Sequence, residues 1–257
     1  MVRRIKDFFL GVSLFALIVV AWQLLIVFKI IPSWLLSSPT ETFFSFLELI
    51  KDGVLIKLLL NSFSNVLPAF IFSLFFSVIL GVFIATNTTL RKMFSPLLAA
   101  INSVPSLAWL PIIILFLGFT RYTIWTVIFI SSSIKMIYTF IDGVRGINPN
   151  WLLVGRNLGL NRIEIITKII LPGTLPQILS GIRIGFGSAW RSLIGAEMLV
   201  VATGGLGKYI WMSQWAYKFD QVISGVVVIA LVGIITEQVV LKKIEKFTLV
   251  KWGVIKD

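Results

Sequence analysis

The chain has 257 residues, of which 58% are hydrophobic and 13% charged, against about 45–50% and 25% in a typical soluble domain. So much apolar surface excludes an ordinary water-soluble globule. The absence of Cys and His removes disulfides, thiol nucleophiles, imidazole bases and the usual zinc ligands, and the net charge of +12 is spread among short segments between apolar runs, a membrane-topology pattern rather than a nucleic-acid footprint.

The expected fold is all-α, a polytopic membrane helix bundle in a single transmembrane domain, with six spans at about 8–28, 64–85, 94–118, 122–141, 182–201 and 221–241. Each approaches the roughly 20 apolar residues needed to cross a bilayer, whereas barrel strands would alternate over about ten. The first run follows Arg3, Arg4 and Lys6. It is too long for a signal-peptide core and lacks a small-residue cleavage site, so it reads as a retained anchor.

Span three contains Asn102, Ser103, Pro105, Trp109 and Pro111. Each proline removes a backbone donor, and such breaks persist in membranes where a cavity or a neighbouring helix satisfies the freed groups. Pro105 and Trp109 are therefore candidate pathway residues. Span four carries Ser131, Ser132, Ser133 and Lys135. Ser132 is a further pathway candidate, although serines more commonly bond within helices, and the Lys135 stem could reach the interface.

The cytoplasmic loop, about 142–176, reads as two short helices. Asn148-Pro149 is a cap followed by proline at the first helical position. Gly159 is placed to end the first helix in a left-handed conformation. Asn161, with Glu164 three residues on, starts the second as a capping box, and Pro172 is expected to end it. On local features alone, an amphipathic connector resting on the membrane stays open.

Span five has two readable faces. Gly181, Gly185, Ser188, Ser192 and Gly195 form a ridge of small residues that permits close helix contact. Arg183, Gly187, Trp190, Ile194 and Glu197 lie roughly opposite, with Arg191 between the faces. Ionisable groups in a span point to function, so Trp190, Arg191 and Glu197 are candidate pathway or gate residues, while Arg183 is expected to snorkel. The cluster Ala202-Thr203-Gly204-Gly205-Leu206-Gly207-Lys208 lacks the first Gly and the final Ser/Thr of a phosphate-binding P-loop. It reads as a turn leaving span five.

Carboxylates are few and none are paired for hydrolysis, so the chain is not expected to be an enzyme or to bind a cofactor or metal. With the N-terminus inside, fourteen Lys and Arg fall in inner segments and six in outer ones. Positive residues stay on the cytoplasmic side, so both termini are expected there.

At the loop the chain resembles the inner-membrane permease subunits of binding-protein-dependent ABC importers, whose signature is Glu-Ala-Ala, three residues, Gly, nine residues, then Ile-x-Leu-Pro. Gly159 and Ile169-Ile170-Leu171-Pro172 match in spacing, while Leu153-Val154-Gly155 replaces the leading triplet. Ser38-Pro39, Pro105 to Pro111, Gly155 to Gly159, Gly181-Ile182-Arg183, Ala196-Glu197-Met198 and Gly205-Leu206-Gly207 look, in order, like the branch handling nitrate, aliphatic sulfonates and taurine. Ser62-Phe63-Ser64-Asn65 departs from it, since the family commonly has Arg in the last place.

The resemblance implies a type I importer permease fold, a homodimeric pore, a pair of ABC ATPase subunits holding ATP and Mg, and an extracytoplasmic solute-binding protein, in the inner membrane. It assigns Leu153, Gly155, Arg156, Gly159, Asn161, Ile169, Leu171 and Pro172 to ATPase coupling. The solute expected is a small, possibly anionic nutrient or a vitamin precursor. The alternative is an ion-coupled secondary transporter using Arg191 and Glu197, which the lack of an evident inverted repeat disfavours.

Overall fold

The computed structural model describes residues 2–32, 35–200 and 204–251. Ala202 and Thr203, read above as parts of a turn, lie outside them. The described regular structure is helical throughout, without a strand. It begins with α1 (Val2–Val27) and α2 (Pro39–Lys51). Ser38 and Glu41 close a capping box around Pro39, the Glu41 carboxylate accepting from Ser38 N at 2.8 Å.

The bundle is built on α3 (Val54–Thr86), α6 (Arg121–Arg145) and α10 (Leu175–Leu199), with α6 packed most extensively against the other two. At 1.5 Å per residue, the 33 residues of α3 are longer than the roughly 30 Å hydrocarbon layer. Its inward stripe is small and polar: Ser73, Ser77 and Gly81 are buried, Ser77 Oγ donates to the Ser133 carbonyl at 3.1 Å, and a Cβ on Gly81 would lie 2.9 Å from Phe140 Cβ. Phe72, Phe75, Ile79 and Phe83 of the same helix point outward and are exposed. This distribution, small polar residues inside and large apolar ones outside, suits lipid as the surrounding solvent.

The glycine ridge of α10 forms the seam with α6. A Cβ on Gly181 or Gly185 would lie 2.6 Å from Phe140 Cε1 or Met136 Cγ. Toward the other end of the ridge, Leu107 seats against Gly195, and Ser192 and Ser106 share a hydroxyl hydrogen bond of 2.8 Å.

Two expected elements differ in shape. The stretch 94–118, read as one span, is α4 (Thr88–Ser103), a 3-10 turn (Ser106–Trp109) and α5 (Leu110–Leu117), bent by 92°. Pro105 cannot donate and disfavours helical geometry in Val104, whose N–H instead turns back to Ile101 at 3.2 Å. Pro172 does not end its helix. After α7 (Pro149–Asn157), α8 (Arg162–Ile165) runs through a π-helical turn (Ile166–Ile170) into α9 (Leu171–Gly173), and the chain bends by 65° at Thr174 before α10. A wider π turn leaves carbonyls without i+4 partners, which accommodates the proline that follows.

After α11 (Leu206–Trp215), α12 (Phe219–Ile234) continues through a second π turn (Ile235–Leu241) into α13 (Lys242–Lys251). Among the described residues three helices are long and apolar enough to cross a membrane, or five if each bent pair is one span, and Ala16–Val27 adds a shorter apolar helix.

Candidate functional site

The loop between α6 and α10 is folded by its own short-range chemistry. Asn148 caps α7 through Asn150 N at 3.0 Å, with Pro149 at the first helical position. At the other end Gly159 has φ of 75°. Its N–H reaches the Arg156 carbonyl at 3.0 Å, and Leu160 N reaches the Gly155 carbonyl at 3.1 Å. Those two bonds with a left-handed glycine make a Schellman motif.

Asn161 then opens α8. Its side chain accepts from Glu164 N at 2.9 Å, and the Glu164 carboxylate accepts from Asn161 N at 2.9 Å. Glu164 is held below the usual carboxylate range first by Lys168, whose ammonium donates at 2.8 Å, and then by Asn161 N–H. The cap is therefore fully formed at neutral pH and weakens only as pH falls through that lowered value.

Gly155 is where α7 and the π turn meet. A side chain there would displace Ile169 Cδ1, so a glycine lets the two helices touch without moving that side chain. Around this contact Trp151, Leu153, Val154, Leu158 and Ile163 are all exposed, Leu158 at 75%. Trp151, Val154 and Leu158 border a cleft of about 580 Å³ that is also lined by Gly155, Ile169 and Pro172. Of the expected coupling residues, Gly155, Ile169 and Pro172 line this cleft, while Leu153 and Arg156 are exposed elsewhere on α7.

The candidates on α10 separate. Trp190 is buried: its indole N–H donates to the Ile229 carbonyl at 3.2 Å, and its ring lies 5.6 Å from that of Phe63. Glu197 is fully buried, its carboxylate accepting from Ser62 Oγ at 2.9 Å, Asn65 Nδ2 at 3.0 Å and Gly207 N at 3.1 Å. Ser62 Oγ also accepts from Leu206 N at 2.9 Å. The backbone of Gly205 and Gly207 lies directly against this carboxylate and the end of α10, leaving no room for a Cβ at either position. Both faces read from the sequence are therefore interior. The exposed stripe is a third one, Gln177, Ile184, Arg191 and Leu199.

Arg191 on this stripe lies close enough to Lys135 of α6 to repel its ammonium. Lys135 lines a small cavity of about 110 Å³ at the α4 break, with Asn102, Pro105, Ser106, Ser131 and Ser188. Among the described residues neither cation makes an ion pair. Glu237 and the Arg191 guanidinium both approach Gly187, at 3.6 and 3.5 Å from its Cβ position, without joining. Ser132 donates to the Ile128 carbonyl at 2.7 Å and faces the interior. Trp109 borders an apolar recess with Phe94, Leu98 and Phe129. In the first half of α10, Arg183 pairs with Glu245 of α13 at 3.2 Å.

Sequence reading missed the Glu197 partners, which lie 132 and 135 residues away. The available signal was the Gly205-Leu206-Gly207 spacing just after the acid. It also missed Lys135 as a cavity residue, since the cavity exists only once α4 breaks.

The helical arrangement has known counterparts. The methionine ABC transporter in inward-facing conformations superposes with a TM-score of 0.65 at 15% identity, over 76% of this chain and 96% of that one. At the sequence level the taurine transport system permease protein of Escherichia coli (strain K12) is 27% identical over 236 residues, 89% of this chain and 84% of that protein. A Bacillus subtilis (strain 168) protein described as an aliphatic sulfonates transport permease is 28% identical over 242 residues, 94% and 87% of the two chains. The nitrate import permease protein of Leptolyngbya laminosa is 28% identical over 179 residues, 70% of this chain and 64% of that protein. The family model for the binding-protein-dependent transport system inner membrane component matches residues 77–241, from α3 to the end of the second π turn, so this multi-pass membrane chain belongs to that family of ABC importer permease subunits.

Proposed function

We propose that two copies of this chain form a pathway for a small oxyanion-bearing nutrient, with Arg191 and Lys135 attracting it at the break between α4 and α5. The single observation that carries this is the pair of unpaired cations beside a cavity of about 110 Å³. Two positive charges in a membrane core are costly without a counter-ion. A transient solute anion supplies one. The named solutes of the relatives, taurine, sulfonates and nitrate, fit that chemistry.

The exposed stripe of Ile184, Arg191 and Leu199 on α10, with Asn102, Val104 and Leu107 at the break, is the surface that faces the second copy. Trp190 and Glu197 hold the protomer together behind it. A self-contained carrier working through Arg191 and Glu197 finds no support, because six residues along a helix put the two about 120° apart and Glu197 is enclosed by α3 and the 205–207 turn. Energy comes instead from a separate ATPase dimer that holds ATP and Mg and docks on the apolar surface around Gly159. An extracytoplasmic binding protein delivers the solute. Leu153, at the position of the acid in the family signature, adds an exposed apolar contact to that docking.

Reconstituted with its ATPase and binding protein, the Lys135→Gln, Arg191→Gln double variant should lose about tenfold or more of sulfonate or nitrate uptake, as expected for removing about 1.4 kcal/mol or more of anion stabilisation. Both ATPase docking and the yield of folded complex should be retained. Uptake at the wild-type rate would remove these cations from the pathway.

The orientation, with both termini cytoplasmic, has its own test. The chain has no native Cys, so single cysteines can report sidedness at exposed positions. An impermeant thiol reagent added to intact cells should label Ile50→Cys and Met212→Cys but not Leu158→Cys. Labelling at Leu158→Cys alone would invert the topology.

A further inference from the structure

A cavity lies away from the Lys135 site, on the loop side of the bundle. It has a volume of about 670 Å³ and lies where the loop helices meet the inner ends of α3, α4 and α6. Four arginines line it: Arg91 from the start of α4, Arg145 from the end of α6, Arg156 from α7 and Arg162 from α8. No carboxylate lines it. Asp142, an exposed residue, contacts Arg145 at 4.0 Å, the limit of an ion pair. The rest of the wall is aliphatic, including Ile147 and Ile170, both buried.

Four arginines brought round one concavity from four separate helices repel one another, and only Asp142, at the limit of an ion pair with Arg145, offsets any of that charge. Guanidinium forks match the oxygen spacing of phosphate and sulfate in paired hydrogen bonds. We infer that this cavity is a binding site for a tetrahedral oxyanion, either a free one or the phosphate of an anionic lipid headgroup. Because Arg156 and Arg162 belong to the coupling helices while Arg91 and Arg145 belong to the bundle, the bound anion ties one to the other. The site holds the coupling helices in the position seen here, and it is separate from the Lys135 cavity and independent of which solute is carried.

The test uses the full chain in complex with its ATPase, in discs of phosphatidylcholine alone or with phosphatidylglycerol. Thermal unfolding is followed while sulfate replaces chloride at constant ionic strength. Arg91 and Arg145 belong to the bundle helices and are not among the residues assigned to ATPase coupling, so the Arg91→Gln, Arg145→Gln double variant is compared with wild type. Sulfate or phosphatidylglycerol should raise the wild-type midpoint by roughly 3 °C, through binding to the folded state alone, and should move the double variant by less than a third of that.

A response to sulfate in phosphatidylcholine identifies a free oxyanion. A response to phosphatidylglycerol alone identifies a lipid headgroup. If the double variant does not assemble, the single variants must each raise the half-maximal sulfate or phosphatidylglycerol content about tenfold, with Arg145→Lys closer to wild type. Equal shifts in wild type and variants would overturn the proposal. So would an effect present in the permease alone and abolished by the ATPase, which would assign the arginines to the subunit interface.

Discussion

Glu197→Leu is expected to abolish assembly of the folded permease rather than to slow transport through it. The substitution leaves Ser62 Oγ, Asn65 Nδ2 and Gly207 N without their shared acceptor in a fully buried place. Hydrogen bonds inside membrane proteins average about 0.6 kcal/mol each, because the unfolded chain in the membrane finds partners too. Three of them set a lower bound of about 2 kcal/mol. Donors sealed from any alternative cost about 1–3 kcal/mol apiece, and this site is sealed on one side by the backbone of Gly205 and Gly207. The expected loss is about 3–5 kcal/mol, a large part of the stability of an ordinary domain.

Glu197→Gln keeps one carbonyl oxygen for Ser62 and Asn65 but turns an amide donor toward Gly207 N–H. It should cost about 1–2 kcal/mol and lower the yield without eliminating it. Gly207→Ala tests the same joint from the other side. Its Cβ would fall on the Ile194 carbonyl oxygen and within 2.7 Å of Glu197 Cβ, so backbone has to move and the loss should match that of the Leu variant. Yield and melting midpoint of the purified complex are the measurements. A Glu197→Leu protein that folds normally but fails to transport would return the carboxylate to the pathway.

The contrast between what the sequence discloses and what it conceals follows the distance over which each interaction acts. The turn at Gly159 was legible because a Schellman motif is written within six residues, and the Asn161–Glu164 box because both partners lie three apart. The small-residue ridge on α10 was legible too, since a helix repeats its face every three or four residues. Periodicity could not say which of the remaining faces looks outward. That depends on α3 and α12 covering Trp190 and Glu197, through Phe63, Asn65 and Ile229, and leaving Arg191 bare. Pro105 marked a discontinuity in span three, but the 92° bend is set by α6 and α10 as well, through contacts such as Ser106 with Ser192. Asn65 shows the limit of a local departure from a family pattern. Its meaning appears only when the amide is seen donating to an acid 132 residues away.

Gly159→Val should uncouple transport from ATP hydrolysis while leaving the spans inserted. With φ of 75°, a β-branched residue there is strained by about 1–3 kcal/mol. Nothing lies within 4 Å of its Cβ position, so the penalty is conformational and does not come from a clash. The strain acts on the turn that fixes α7 against α8, and therefore on whether Trp151, Val154, Leu158 and Ile163 form one surface. A cost of one or two kcal/mol changes the population of the docking-competent turn by a factor of about 5–30, and uptake together with binding-protein-stimulated hydrolysis should fall by a similar factor.

Gly159→Asn separates the causes, because asparagine tolerates the left-handed region while adding comparable bulk to the exposed surface. It should retain most of the activity. If Asn and Val are equally impaired, side-chain bulk at the docking surface is responsible and the left-handed turn is incidental. If Val transports at the wild-type rate, the loop is a connector and the ATPase must dock elsewhere. The strain argument therefore stands on one ordering, Gly first, Asn close behind and Val far below, measured with membrane insertion held equal.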